Sequence, residues 1–216
     1  MSLTLVIGNK NYSSWSMRPW LALAHHKVPF EEIVINIYAD DAKKRILEHS
    51  PAGKVPILKD GNVTIWDTLA ILEYLADKFP GLHLWPKDPA MRAHARSVSA
   101  EMHSGFQALR QATPMNLKRV PRPIELNEDV KADVVRVEAI WNDCRMRYGK
   151  QGHFLFGEFS AADCMYAPVA TRFRNYDVPV DLVASAYVDT IHTLPAFERW
   201  RDAGLKEAWT AHYDHI

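Results

Sequence analysis

The feature that most constrains this chain is a proline at the head of a strand. Lys54-Val55-Pro56-Ile57-Leu58 runs directly toward Asp60-Gly61-Asn62, a hairpin turn signal, and then Val63-Thr64-Ile65. Proline supplies no ladder donor, so a sheet accepts it only at an edge, at the first position of a strand or at a bulge. Two readings fit. One is an edge strand that simply opens with proline. The other is a cis Val55–Pro56 bond that turns the Val55 N–H and C=O off the sheet, where an extended peptide-like ligand pairs with them as an added strand does.

The surrounding segments favour a mixed α/β unit. Leu3–Gly8 is a short apolar run ending in glycine and reads as a buried strand. Asn9 to Ser16 is polar and turn-rich. Met17 to His26 carries Trp20, Leu21, Leu23 and Ala24 at helical spacing, with Pro19 expected in the first turn. Phe30–Ile35 reads as a second strand and Asp40–Glu48 as a short polar helix. Asp67-Thr68 then opens a helix bearing Leu69, Ile71, Leu72 and Leu75. The order is β-α-β-α-β-β-α over residues 1–81, a linker with Pro86 and Pro89 over 82–89, and an all-helical unit over 90–216. In that second unit the periodicity predicts one long helix from Ala90 to Arg110, then helices over Glu125–Tyr148, Ser160–Asn175, Ser185–Thr193 and Pro195–Ala203.

Charge and cysteine usage exclude several classes. Lys+Arg and Asp+Glu both number 26, so the formal net charge is zero, which supports neither a nucleic-acid nor an anionic-membrane partner. No apolar run approaches the ~20 residues that span a bilayer, and no leader is read ahead of the first strand, so a cytoplasmic location is expected. Cys144 and Cys164 both fall in the helical half, which leaves no thiol near the first helix for disulfide exchange. The histidines, His25-His26 and His212/His215 included, lack zinc-ligand spacing, so no metal is expected.

Two further stretches carry chemistry. Asp67-Thr68 sits where a helix presents unpaired N–H groups and partial positive charge. An acidic side chain there takes a ligand ammonium while Thr68 and the backbone N–H groups take a carboxylate, which suits an amino-acid-like head group; ordinary capping by either residue is the alternative. In Asn11-Tyr12-Ser13-Ser14-Trp15-Ser16-Met17-Arg18, a hydroxyl at a helix N-terminus donates to a bound thiolate and, with the dipole, lowers its pKa. A serine-rich cap is the alternative there.

Strand–SSWSMR–helix, then GKVPIL, then DTLAILEYL, at these spacings, resembles the glutathione transferase family over essentially the whole chain. It looks closest to the serine-type classes, especially zeta, whose pattern reads Ser-Ser-Cys-Ser before a basic residue. The resemblance implies a thioredoxin-like α/β domain followed by an all-α helical bundle, and glutathione as co-substrate. It implies Ser13 as the serine that hydrogen-bonds the glutathione sulfur, with Ser14 as its neighbour. Val55 ahead of Pro56 matches the residue whose backbone pairs with the cysteinyl part, Asp67 and Thr68 match the acidic-hydroxyl pair that holds the γ-glutamyl end, and Lys54 and Gln107 are expected near the ligand. Trp15, His103, Phe106 and Arg110 are expected at a second-substrate pocket, with Met102 beside them. Phe159-Ser160-Ala161-Ala162-Asp163 resembles the family's capping box in a buried helix, a folding element. Trp15 stands where the zeta pattern has cysteine. The function expected is attack of the glutathione thiolate on an electrophilic small molecule, in a homodimer. The alternatives are a non-catalytic binding protein of this fold and a zeta-like glutathione-dependent isomerase.

Overall fold

A computed structural model describes residues 3–211 and residue 214; His212 and His215 lie outside the described residues. Four strands form one sheet, β1 (Leu3–Gly8), β2 (Phe30–Ile35), β3 (Ile57–Asp60) and β4 (Val63–Ile65), in the order β2-β1-β3-β4. β1 runs parallel to β2 and antiparallel to β3, with Val6 opposite Ile33 on one side and Ile57 on the other. β3 and β4 form the hairpin that Asp60-Gly61 announces. The crossover from β1 to β2 carries α1 (Ser14–His25), while α2 (Ala42–Leu47) and α3 (Thr68–Lys78) complete the unit.

Alternation along β1 explains the layering. Leu3, Leu5 and Ile7 face the main core with α1 and α3. Val6 faces the other way, into a small cluster with Ile35, Ile57 and Ile46 of α2. The second unit holds α4 (Pro89–Ser104), α5 (Gln107–Ala112), α6 (Glu128–Tyr148), α7 (Ala161–Asn175), α8 (Leu182–His192) and α9 (Pro195–Leu205). α7 is buried on nearly every face, and its polar residues Asp163 and Arg172 are buried with it. It packs along α1, so the main core runs without interruption from the sheet into the helices.

Two expectations change here. The segment expected to form one helix through Arg110 is broken at Gly105-Phe106. Phe106 takes a left-handed backbone (φ 57°) that lets its ring turn into the core, where it is 6% exposed. Met102 is likewise fully buried. Phe106 and Met102 therefore pack into the main core and are not among the residues lining the cleft described below, since the helix face they were assigned to is not continuous. The first helix also begins earlier than expected, at Ser14, which puts Pro19 inside it and not in its first turn.

Candidate functional site

That displaced proline helps to build the site. Lacking an N–H, Pro19 cannot serve the carbonyl four residues back, which is Trp15. The Thr68 hydroxyl does so instead, donating to the Trp15 carbonyl at 2.9 Å. The start of α3 is thereby fastened to the first turn of α1, and Thr68 is fully buried by it. Its hydroxyl is committed to the protein, which leaves its backbone N–H at the helix start for a ligand.

One lobe of the resulting cleft, about 340 Å³, is lined by Lys54, Val55, Pro56, Asp67 and Thr68, with Trp66 at its rim. The Val55–Pro56 and Trp66–Asp67 peptide bonds are cis. Among the described residues no backbone carbonyl takes the Val55 N–H. Asp67 does two things at once. One carboxylate oxygen caps α3 by accepting the Leu69 N–H at 3.0 Å, and the other lies 2.6 Å from His103 Nε2. His103 was expected in the second-substrate pocket; it stands in this lobe, at the end of α4, with its ring edge against Trp15 (centroids 5.3 Å apart).

The second lobe, about 460 Å³, is lined by Tyr12, Ser14, Gln111, Met115 and Arg172. Trp15, Gln107 and Arg110 line both lobes and form the wall between them. Ser14, the first residue of α1, is partly open to this lobe. Ser13 is not. It is the N-cap of α1, 6% exposed, with its Oγ 2.7 Å from Ser16 Oγ and 3.4 Å from the Ser16 N–H. Ser16 Oγ in turn accepts the Gly8 N–H at 3.0 Å, closing a buried chain of hydroxyls behind the cleft. The two serines thus differ in exposure, because the helix starts between them: Ser14 borders the second lobe and Ser13 lies behind it. Tyr12, also on this wall, donates its hydroxyl to Asp214 at 2.7 Å; burial and then that carboxylate push its pKa up to about 12, so it stays protonated.

Three guanidinium groups surround these residues. Arg18 is buried, donating to the carbonyls of Met165 (3.0 Å) and Ser14 (3.0 Å). Arg172 donates to the carbonyls of Thr113 (2.8 Å) and Pro168 (3.2 Å) and approaches Ser14 Oγ at 3.5 Å. Arg18 and Arg110 lie over the Trp15 ring, 4.2 and 4.8 Å from its centroid. Burial pushes the Arg18 guanidinium below its ordinary range, and Arg172 and Arg110 push the same way, opposed by Asp67. Burial also lowers Arg110. A guanidinium keeps its proton regardless. Arg110 and Arg172 thus put two cationic groups on the lining of the second lobe, with Arg18 buried behind it.

The sequence reading missed Arg172, Arg18, Tyr12 and Trp66. Nothing local ties Arg172 to Ser14, 158 residues away. Among the described residues no cluster of metal-ligand type occurs and no helix is long and apolar enough to cross a membrane.

A mixed four-stranded sheet with a helical domain behind it, and a cleft built on a cis-proline loop and a helix N-terminus, defines a two-domain protein of thioredoxin-like plus all-helical architecture. The chain matches the family models described as glutathione S-transferase, N-terminal domain, over residues 12–78 and glutathione S-transferase, C-terminal domain, over residues 125–203. It belongs to the glutathione S-transferase family and stands close to its zeta-like members. It is 42% identical over 190 residues to a probable maleylacetoacetate isomerase of Caenorhabditis elegans, covering 86% of this chain and 87% of that one. It is 28% identical over 203 residues to glutathione S-transferase Z1 of Arabidopsis thaliana, covering 88% and 89%. In fold it is similar to a diazinon-metabolizing glutathione S-transferase of the silkworm Bombyx mori (TM-score 0.74, 20% identity, 95% and 98% covered). It is similar also to a glutathione transferase homolog from Burkholderia gl BGR1 with bound glutathione (TM-score 0.72, 21% identity, 94% and 98% covered).

Proposed function

We propose that the protein uses the thiolate of bound glutathione to attack an electrophilic small molecule that itself carries negative charge. The observation behind this is the shared wall. Trp15, Gln107 and Arg110 border both lobes, so a peptide-like ligand on Val55, Asp67 and Thr68 brings its sulfur to Ser14 beside the second lobe. Ser14 donates to the sulfur and the α1 dipole adds to that stabilisation. The arginines around the second lobe recruit an anionic group and hold the electrophilic carbon near sulfur, where proximity does most of the work.

Two outcomes of that attack are chemically distinct. In conjugation the S–C bond persists, with loss of a leaving group or gain of a proton at the neighbouring carbon. In isomerisation the thiolate adds to an activated double bond, the resulting single bond rotates, and elimination returns the thiolate and the double bond. The second reading is favoured by the relatives named as maleylacetoacetate isomerases and by the cationic lobe. Product analysis separates them. A species at the summed mass of glutathione and electrophile supports transfer; unchanged glutathione with altered double-bond geometry supports isomerisation. Saturable glutathione binding by calorimetry with neither product, for anionic and neutral electrophiles alike, supports a non-catalytic binding protein. The same reading takes the chain as a cytoplasmic homodimer, which sedimentation and fractionation test.

A further inference from the structure

The turn that delivers Ser14 is held from the far end of the chain. Three residues at the close of α9, spaced four and three apart, converge on the Lys10–Asn11 backbone. Trp200 Nε1 donates to the Lys10 carbonyl at 3.0 Å. Gly204 lets the helix press against that peptide: a Cβ there would lie 3.1 Å from the Asn11 nitrogen and 3.2 Å from the Lys10 carbonyl carbon. Glu207, just beyond the helix, accepts the Lys10 N–H on one carboxylate oxygen (2.6 Å) and the Asn11 N–H on the other (3.0 Å). Glu207 is itself fastened, since Lys118 Nζ donates to its carbonyl while the Lys118 N–H is taken by Asn11 Oδ1.

β1 ends at Gly8, so the N–H groups of Lys10 and Asn11 have no strand to pair with. A single carboxylate meeting both is a charge-assisted pair of bonds at a half-buried place. Tyr12 and Ser14, on the cleft wall, follow directly. We propose that Glu207 is a positioning residue: by clamping these two N–H groups it fixes the β1–α1 turn in the conformation that presents the Ser14 hydroxyl to the cleft. Glu207 is not among the residues lining either lobe, and it acts only through the turn. The inference rests on the reading of Ser14 as the donor to sulfur. Glutamine is no replacement, since its NH₂ sets a donor against one of the two backbone donors.

The test compares the full chain with Glu207→Gln and Glu207→Ala. Amide exchange over residues 9–16 of the free protein reports the turn itself, and is expected to quicken by about tenfold or more as local opening becomes easier. The kcat is expected to fall by about 10- to 100-fold, the range for a misplaced reacting group. The glutathione Kd, set mainly in the other lobe, should stay within about threefold of wild type. The ionisation midpoint of bound glutathione should move up with the loss of kcat, which general destabilisation does not produce. Trp200→Phe keeps an aromatic ring, though a smaller one, and removes the donor to Lys10; it should give the same split at smaller size. Unchanged exchange in the folded variants overturns the clamp whatever the chemistry. Quickened exchange with unchanged kcat overturns its link to Ser14. If wild-type protein forms no glutathione thiolate, the reading of the site fails, while exchange still decides the clamp.

Discussion

Exchanging each serine for alanine in turn separates two hydroxyls that adjoin in sequence but differ in surroundings. Ser14 faces the cleft with Arg172 at 3.5 Å from its oxygen. An arginine only donates, so the Ser14 proton is left to point into the cleft. A hydrogen bond to a charged group is worth about 1.5–3 kcal/mol, and one pKa unit is about 1.36 kcal/mol. Ser14→Ala should therefore raise the pKa of the bound glutathione thiol by about 1 to 2 units, with melting temperature little changed. Ser13→Ala removes the N-cap of α1 instead. Its bond to the Ser16 N–H is long, 3.4 Å, and its contact with Ser16 Oγ is 2.7 Å and buried. The loss should be about 1 kcal/mol of stability, or about 2–4 °C for a chain of this size, with little change in thiol pKa. Ultraviolet absorbance of the thiolate across pH gives the midpoint in each complex, and thermal unfolding gives the stability. A midpoint raised in Ser13→Ala and unmoved in Ser14→Ala would refute the assignment drawn from the helix start. No shift in either would place thiolate stabilisation on the helix dipole and the arginines alone.

Other predictions follow from the same geometry. Asp67→Ala should weaken glutathione binding about tenfold by calorimetry, since a half-exposed carboxylate holds less than a buried one; unchanged affinity would leave Asp67 a cap and a partner of His103. Asp163→Ala should cost about 3–5 kcal/mol in denaturant unfolding, because its buried carboxylate accepts from the Leu155 and Ser160 N–H groups and from the Ser160 and Tyr187 hydroxyls; a loss under ~1 kcal/mol would refute its role as a hub. Burial lowers the His192 pKa from 6.5 to about 3. The stability from keeping it neutral is thus complete above pH 6.5 and is lost as pH falls toward about 3. Stability should drop by about 2 kcal/mol between pH 7 and 5 from this group, and parallel pH curves for wild type and His192→Leu would contradict that.

The α/β unit was legible because its signals are local. Phe30–Ile35, the Asp60-Gly61 turn and the Asp67-Thr68 helix start each rest on a few adjacent residues, and the structure keeps them within a residue or two. The lobe formed by Lys54, Val55, Pro56, Asp67 and Thr68 was legible for the same reason. What the sequence misplaced or left open needed the third dimension. The break at Gly105-Phe106 is settled by Phe106 finding a core site that a continuous helix would deny it, although Gly105 was a visible warning. The order of Ser13 and Ser14 turns on where α1 starts, and helix boundaries are the least certain feature of any sequence reading. Arg172 carries no local sign at all, since its place beside Ser14 follows only from α7 lying along α1.

That packing also explains how a buried cation cluster persists beside the cleft. Arg18 directs its hydrogen bonds at the backbone carbonyls of Met165 and Ser14, while Arg172 donates to those of Thr113 and Pro168 and approaches Ser14 Oγ. A carbonyl satisfies a donor without neutralising its charge. A carboxylate in its place would satisfy the same donors and cancel the field, since unit charges at ~4 Å interact by several kcal/mol in a protein-like medium. The arrangement thus meets the hydrogen-bonding cost of burying Arg18 while leaving its positive potential directed at Trp15 and the second lobe. α7 supplies two of the four carbonyls and carries Arg172 itself, and the same helix is anchored at its start by Asp163. Stability of that helix and charge at the cleft are coupled through one element, so α7 substitutions that loosen its N-terminal hub should weaken the cationic lobe before they unfold the chain.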